Sequence, residues 1–240
     1  MNEFYEEVEV EFLSKDKLRE FLSKIEINEM TNSLFERMKS LILNEDKEKR
    51  TTSRYIKILG QTFEYNGEES CALKGIISHL TSECGGNVDE RNKVKVTSSS
   101  AFNSNEVAKN VVDLENMQNW FLSKNEKNSW LKYDFKDRKV RPTHYTIRSR
   151  NSAKGWYHPQ HWVIEGSNTD RDDDWKKLDS RNNITVLDDE SRIHTFKIQE
   201  KLSPNEFFRY LRIRQTGKDT NSGESYYLEF SALEYFGSII

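Results

Sequence analysis

HWVIEGSNTDRDDDW, residues 161–175, is the stretch whose reading decides the fold. Trp162, Val163 and Ile164 favour extended backbone, because aromatic and β-branched side chains suit a pleated, half-buried surface. The strand is expected to break at Gly166-Ser167-Asn168 and to pass through an acidic turn to Trp175. Downstream, FRYLRIRQTG (Phe208–Gly217) reads as a second strong strand that again stops at glycine. YLEFSALEYFG (Tyr227–Gly237) is a third, and it closes the chain.

Working outward, Tyr55–Tyr65 is rich in β-formers and ends at the turn signal Asn66-Gly67. Leu73, Ile76, Ile77 and Leu80 fit a helix stopped by Gly85-Gly86. Val94–Thr97, Ile184–Leu187 and Ile193–Ile198 are short strand candidates, Asp137–Pro142 a turn, and His144–Ser149 a further strand. Many short strands joined by irregular turns point to an antiparallel sandwich, not a parallel sheet.

A strand with an EGSN turn and a Trp, then RYLRIRQTG, then an aromatic-Gly close, resembles the discoidin (factor V/VIII type C) domain of the galactose-binding-like superfamily. The phrase AKNVVDLENMQNWFLSKNEKNSWLKYDFKD extends the likeness, with Val112-Asp113, Trp120 and Trp130 at matching places. It covers roughly residues 61–240. The resemblance implies a mainly β protein, an antiparallel β-sandwich of the discoidin jelly-roll type, with a non-catalytic binding role. Discoidin-like domains inside cells bind protein partners, so a protein or peptide is the expected ligand. A galactose-type glycan or a lipid head group is the alternative.

Residues 1–54 read differently from the rest. Ser14 is a candidate N-cap, with Leu18, Phe21, Leu22 and Ile25 at helical spacing. Thr31 can cap a second helix bearing Leu34, Phe35, Met38, Leu41 and Ile42. Phe12-Leu13-Ser14 followed by an amphipathic helix is similar to the helical region after the BTB domain in BTB–BACK adaptors. That likeness implies an adaptor; a helical prefix that joins copies of the chain into a homo-oligomer is the other reading. The charged run Asn44–Arg54 is the expected linker, which sets a domain at 55–240.

Composition narrows the function classes. A net charge of −3 gives no reason to expect nucleic acid as a partner. No apolar run approaches the roughly 20 residues that cross a bilayer, and Met1-Asn2-Glu3 does not read as a secretory leader. Cys71 and Cys84 are expected to be reduced thiols of a cytoplasmic protein. GxSxG, HExxH and phosphate-loop patterns are absent from the sequence, so catalysis is not expected.

The loop NSAKGWYHPQH (Asn151–His161) concentrates the candidate ligand-binding residues: Lys154, Trp156, Tyr157 and His158, with Arg150 beside them. Trp and Tyr dominate protein hot spots and also stack on sugar rings. Two readings of Trp156 stay open, one exposed and one folded back to plug the sandwich end. Ser98–Asn105 and Lys218–Ser225 are polar loops that can border the same site. Arg212 and Arg214 share one strand face, as a basic stripe or as partners of Asp and Glu. The discoidin resemblance also places a calcium ligand at Asp113, with Glu234 nearby. Leu114 and Gln118-Asn119 depart from the family pattern there, removing a tight turn and one oxygen ligand, so no cofactor is the expectation and calcium the exception.

Overall fold

The structure is a computed structural model, and it describes residues 60–240. The helical prefix, its BTB–BACK likeness and the 1–54 boundary therefore lie outside the described residues. Within them the chain forms strands β1 (Gln61–Phe63), β2 (Lys95–Ser98), β3 (Phe121–Leu122), β4 (Trp130–Asp134), β5 (Val140–Arg148) and β6 (Trp162–Ser167). It continues with β7 (Lys176–Arg181), β8 (Ile193–Lys197), β9 (Tyr210–Gln215), β10 (Glu229–Phe230) and β11 (Ala232–Ile239). The α-helix α1 spans Ile76–Cys84 and ends at Gly85.

The strands make a five-stranded sheet, β2-β4-β9-β6-β7, a four-stranded sheet, β1-β11-β5-β8, and a short β10-β3 pair. The ladders among β2–β11 are antiparallel, so the expected class, an antiparallel β-sandwich, is what forms. β9 sits at the centre of its sheet because its alternation suits both faces. Leu211, Ile213 and Gln215 point into the core, while Tyr210, Arg212 and Arg214 face outward. The two layers are tied by aromatic side chains with polar tips. Tyr133 of β4 donates to the Leu233 carbonyl of β11 at 2.9 Å, and its ring meets Tyr235 edge-on at 5.5 Å. Trp162 Nε1 donates to the Tyr145 hydroxyl, which donates to Asp179 at 2.6 Å. The buried tips of Tyr133, Tyr145 and Trp162 are thereby satisfied across the core, as large amphipathic rings require, whereas the Tyr235 hydroxyl is buried without a hydrogen-bond partner.

Gly166 does not break its strand. β6 runs through it to Ser167, because a side chain there would meet the Phe208 ring at 2.6 Å. The turn comes one residue later and is held by Asp174. One oxygen of that carboxylate accepts from Ser167 Oγ, the Asn168 and Thr169 amides, and Thr169 Oγ1 at 2.6–2.9 Å. These donors, Ser167 foremost, hold the Asp174 carboxyl well below the usual carboxylate range. Asn168 adds bonds to the Phe207 carbonyl and the Arg209 amide, pinning the turn to the start of β9. The most recognisable motif of the sequence is therefore a structural device. Ile184–Leu187 is not a strand: the stretch, bounded by Asn182-Asn183 and Asp188-Asp189, folds as turns with only Leu187 fully buried.

Candidate functional site

At the end of the sandwich where β5 runs out, His158 fixes the course of loop 149–161. The imidazole is buried, and its Nε2 lies 3.2 and 3.3 Å from the carbonyls of Ser152 and Ala153. The His158 amide donates to Thr220 Oγ1, and its carbonyl accepts from the Thr220 amide, both at 3.1 Å. Loop 149–161 is thus clamped to loop 216–228. Tyr157, held at φ 56° in the left-handed region, turns its ring against Tyr227 at 4.7 Å. Trp156 follows edge-on at 6.2 Å. Phe102 lies 6.2 Å from Tyr227, edge-on, its loop tied to β3 by the bond from the Phe102 amide to the Leu122 carbonyl.

The result is an aromatic ridge of four rings from three loops, with Trp156 55% and Phe102 53% exposed at its ends. Trp156 does not fold back into the sandwich. Exposed rings held rigidly are what a binding surface requires, since few rotamers are lost on contact. Loops 98–105 and 218–225 border the ridge as their position in the sequence suggests. Phe102 and Tyr227 were legible only as aromatics inside or beside polar runs, and they stand with the site because the loops converge.

The other sequence candidates divide. Lys154 is exposed beside Gly155, whose amide donates to Asp188 at 2.7 Å. His158 is buried inside the loop it shapes, with Nε2 near the Ser152 and Ala153 carbonyls and Nδ1 without a hydrogen-bond partner. Arg150 is engaged within the fold: its guanidinium lies 4.0 Å from the Trp120 ring and Nη1 donates to Glu229 at 2.9 Å. Arg212 and Arg214 do not make a free basic stripe, since both bind Glu165 at 2.7–3.1 Å. Lys154, Thr185, Asp188, Glu190 and Arg192 line a polar cleft of about 450 Å3 at the foot of the loop.

Glu229 is fully buried, with one oxygen on Arg150 and the other without a hydrogen-bond partner. Burial pushes its carboxyl up to about 7 from an ordinary 4.5; Arg150 pulls it down, while Glu106 and Asp219 add to the rise. The folded state therefore holds this proton more tightly than the unfolded chain. The stability it lends is complete below about pH 4.5 and is lost as pH rises through 7. Between pH 5 and 8 the wild type should lose on the order of 3 kcal/mol from this group. Urea titrations of wild type and Glu229→Gln check this, and equal pH slopes for the two would refute it.

Asp113 lies just after a 3-10 turn at Ala108–Val112. The loop that follows does not fit calcium. The Leu114 and Asn116 carbonyls are already taken by the Arg148 guanidinium at 2.8 and 2.9 Å. Glu234 is engaged elsewhere, accepting backbone N–H groups at the start of α1. Two carbonyls and one carboxylate that a hard divalent cation could use are thus already engaged, and such an ion takes six to eight oxygens.

Among solved structures, the fold is similar to the CBM32-3 module of a family 31 glycoside hydrolase from Clostridium perfringens. That pair is 13% identical with a TM-score of 0.48, covering 61% of this chain and 92% of the module. A fucolectin from striped bass, Morone saxatilis, is 17% identical at a TM-score of 0.47, over 60% of this chain and 47% of the lectin. The family 32 module of C. perfringens NanJ, solved with galactose, is 10% identical at a TM-score of 0.43, over 62% and 95%. None of these likenesses assigns a ligand here. No curated protein matches the sequence. The antiparallel sandwich expected from the sequence is the fold that forms, whereas the family whose model matches is not the discoidin one. Residues 101–239 match the Sad1 / UNC-like C-terminal family, and the protein belongs to that family.

Proposed function

We propose that residues 55–240 form a non-catalytic binding domain that takes a protein or peptide partner on the aromatic ridge. The observation that carries this reading is the continuous row from Phe102 through Tyr227 and Tyr157 to Trp156, exposed at both ends. Edge-to-face rings present an irregular apolar crest, which suits interdigitation with side chains better than the flat stacking of a sugar. A glycan is the second reading, supported by the polar cleft beside Lys154. The proposed setting is the cytosol, in keeping with free thiols at Cys71 and Cys84. No helix among the described residues is long and apolar enough to cross a membrane.

Trp156→Ala and Phe102→Ala are each expected to weaken the partner complex by about 2 kcal/mol, roughly 30-fold in Kd, without changing the melting temperature. Affinity capture with mass spectrometry on wild type and both variants, followed by titration of the captured partner, measures this. Partners retained equally by all three proteins would remove the ridge from consideration. A glycan-array signal lost on Trp156→Ala would move the assignment to the second reading.

A further inference from the structure

Loop 113–118 is wrapped around a positive charge that the chain itself supplies. Arg148 ends β5 and is 3% exposed. Its Nη1 donates to the Leu114 carbonyl at 2.8 Å, Nη2 to the Asn116 carbonyl at 2.9 Å, and Nε to Ser231 Oγ at 2.9 Å. Ser231 Oγ is itself oriented by the Arg148 and Ser149 carbonyls, and Asp113 and Glu115 contribute opposite charge. Convergent carbonyls with carboxylates behind them are the surroundings of a cation, and here the planar fork of the guanidinium meets them with three directed donors. A free ion has no such tether and must be drawn from solution, whereas Arg148 is fixed by the strand that carries it.

We propose that Arg148 is the resident cation of this loop, and that the space it fills is a site for a small guanidinium-type cation when the side chain is removed. The loop leads directly to Trp120, on which Arg150 rests, so one end of the sandwich is preorganised without metal. This holds whether or not the ridge takes a partner.

The test uses the full chain as wild type, Arg148→Ala and Arg148→Lys, melted in chelator, in calcium, and in millimolar methylguanidinium or tetramethylammonium. Wild type should melt at one temperature in chelator and calcium. Arg148→Ala should melt about 10 °C lower. Methylguanidinium should return part of that loss, and tetramethylammonium, which has no N–H donor, should return none. Arg148→Lys, with one compact ammonium, should fall between. A wild type stabilised by calcium, an alanine variant within about 2 °C of wild type, or no recovery with methylguanidinium would each overturn the proposal. Should Arg148→Ala not fold, hydrogen exchange at the wild-type Arg148 Nε–H decides: slow exchange supports the assignment, and exchange as fast as at exposed arginines refutes it.

Discussion

Replacing Glu234 by alanine is expected to destabilise the sandwich by about 4 kcal/mol, or roughly 8–16 °C in melting temperature. Glu234 is fully buried in β11. One carboxylate oxygen accepts from the Gly75 and Ser78 amides at 3.1 and 2.9 Å, the other from the Ile77 and Tyr235 amides at 2.8 and 2.7 Å. Three of these donors belong to the start of α1, where the helix leaves its first N–H groups unpaired. Burial pushes the carboxyl up to about 7, but four N–H donors and the helix terminus pull it back. Neither oxygen faces an acceptor that could take a carboxyl proton, so the carboxylate is the form the geometry fits. Glutamine is therefore not a conservative replacement. Whichever way its amide is turned, two buried N–H donors face an NH2 group, at a cost of roughly 2–3 kcal/mol. Urea denaturation of Glu234→Ala, Glu234→Gln and wild type checks this ordering, and a glutamine variant as stable as wild type would contradict it.

The sandwich was legible because its strands carry period-2 patterns that burial on one face imposes. Leu211 and Ile213 alternate with Arg212 and Arg214, and that alternation survives as the central strand of a sheet. The turn at 167–174 was legible in type but misplaced by one residue. Glycine is a turn residue in isolation, whereas Gly166 is present because the Phe208 ring lies against it. A contact with a residue more than forty positions away leaves no local trace. The strand expected at Ile184–Leu187 failed for the converse reason: four apolar-rich residues between polar turns find no partner strand.

The site was half legible. Trp156 and Tyr157 stand out because a loop rich in Gly and Pro has no core reason to hold them side by side. His158 has the same local signature, yet it is buried, because one imidazole can satisfy two carbonyls of its own loop. Phe102 and Tyr227 joined the ridge through convergence of loops that are remote in sequence. Arg148 and Arg150 are two apart in sequence, but a buried pair of carbonyls claims the first and Glu229 the second. Sequence spacing fixes which face a side chain occupies; only the packing of distant segments decides what it meets there.

Gly237→Ala is expected to be at least as damaging as the loss of Glu234. β11 pairs with β5 in regular register from Ala232 to Phe236, opposite His144, and then skips Thr143 so that Gly237 lies opposite Pro142. Pro142 has no N–H to offer a ladder, and proline inside a sheet is found at bulges and edges. The bulge is why β5 continues through a residue that reads as the end of a turn. Gly237 sits at φ 131°, a conformation other residues rarely adopt, and a Cβ there would lie 2.1 Å from the Arg141 carbonyl oxygen and 2.9 Å from the Thr143 amide. Both are backbone atoms of a neighbouring strand, so no rotamer change relieves the clash. Either the bulge slides or the last residues of β11 detach. Forced strain plus lost pairing should cost about 4 kcal/mol or more. Gly223, whose added Cβ would meet nothing closer than 3.5 Å, is the matched control and should change stability by less than about 0.5 kcal/mol on alanine substitution. Urea midpoints measured side by side give the answer. Equal midpoints for the two variants would show that the β5–β11 register does not depend on glycine at 237, and the account of Pro142 within the strand would fall with it.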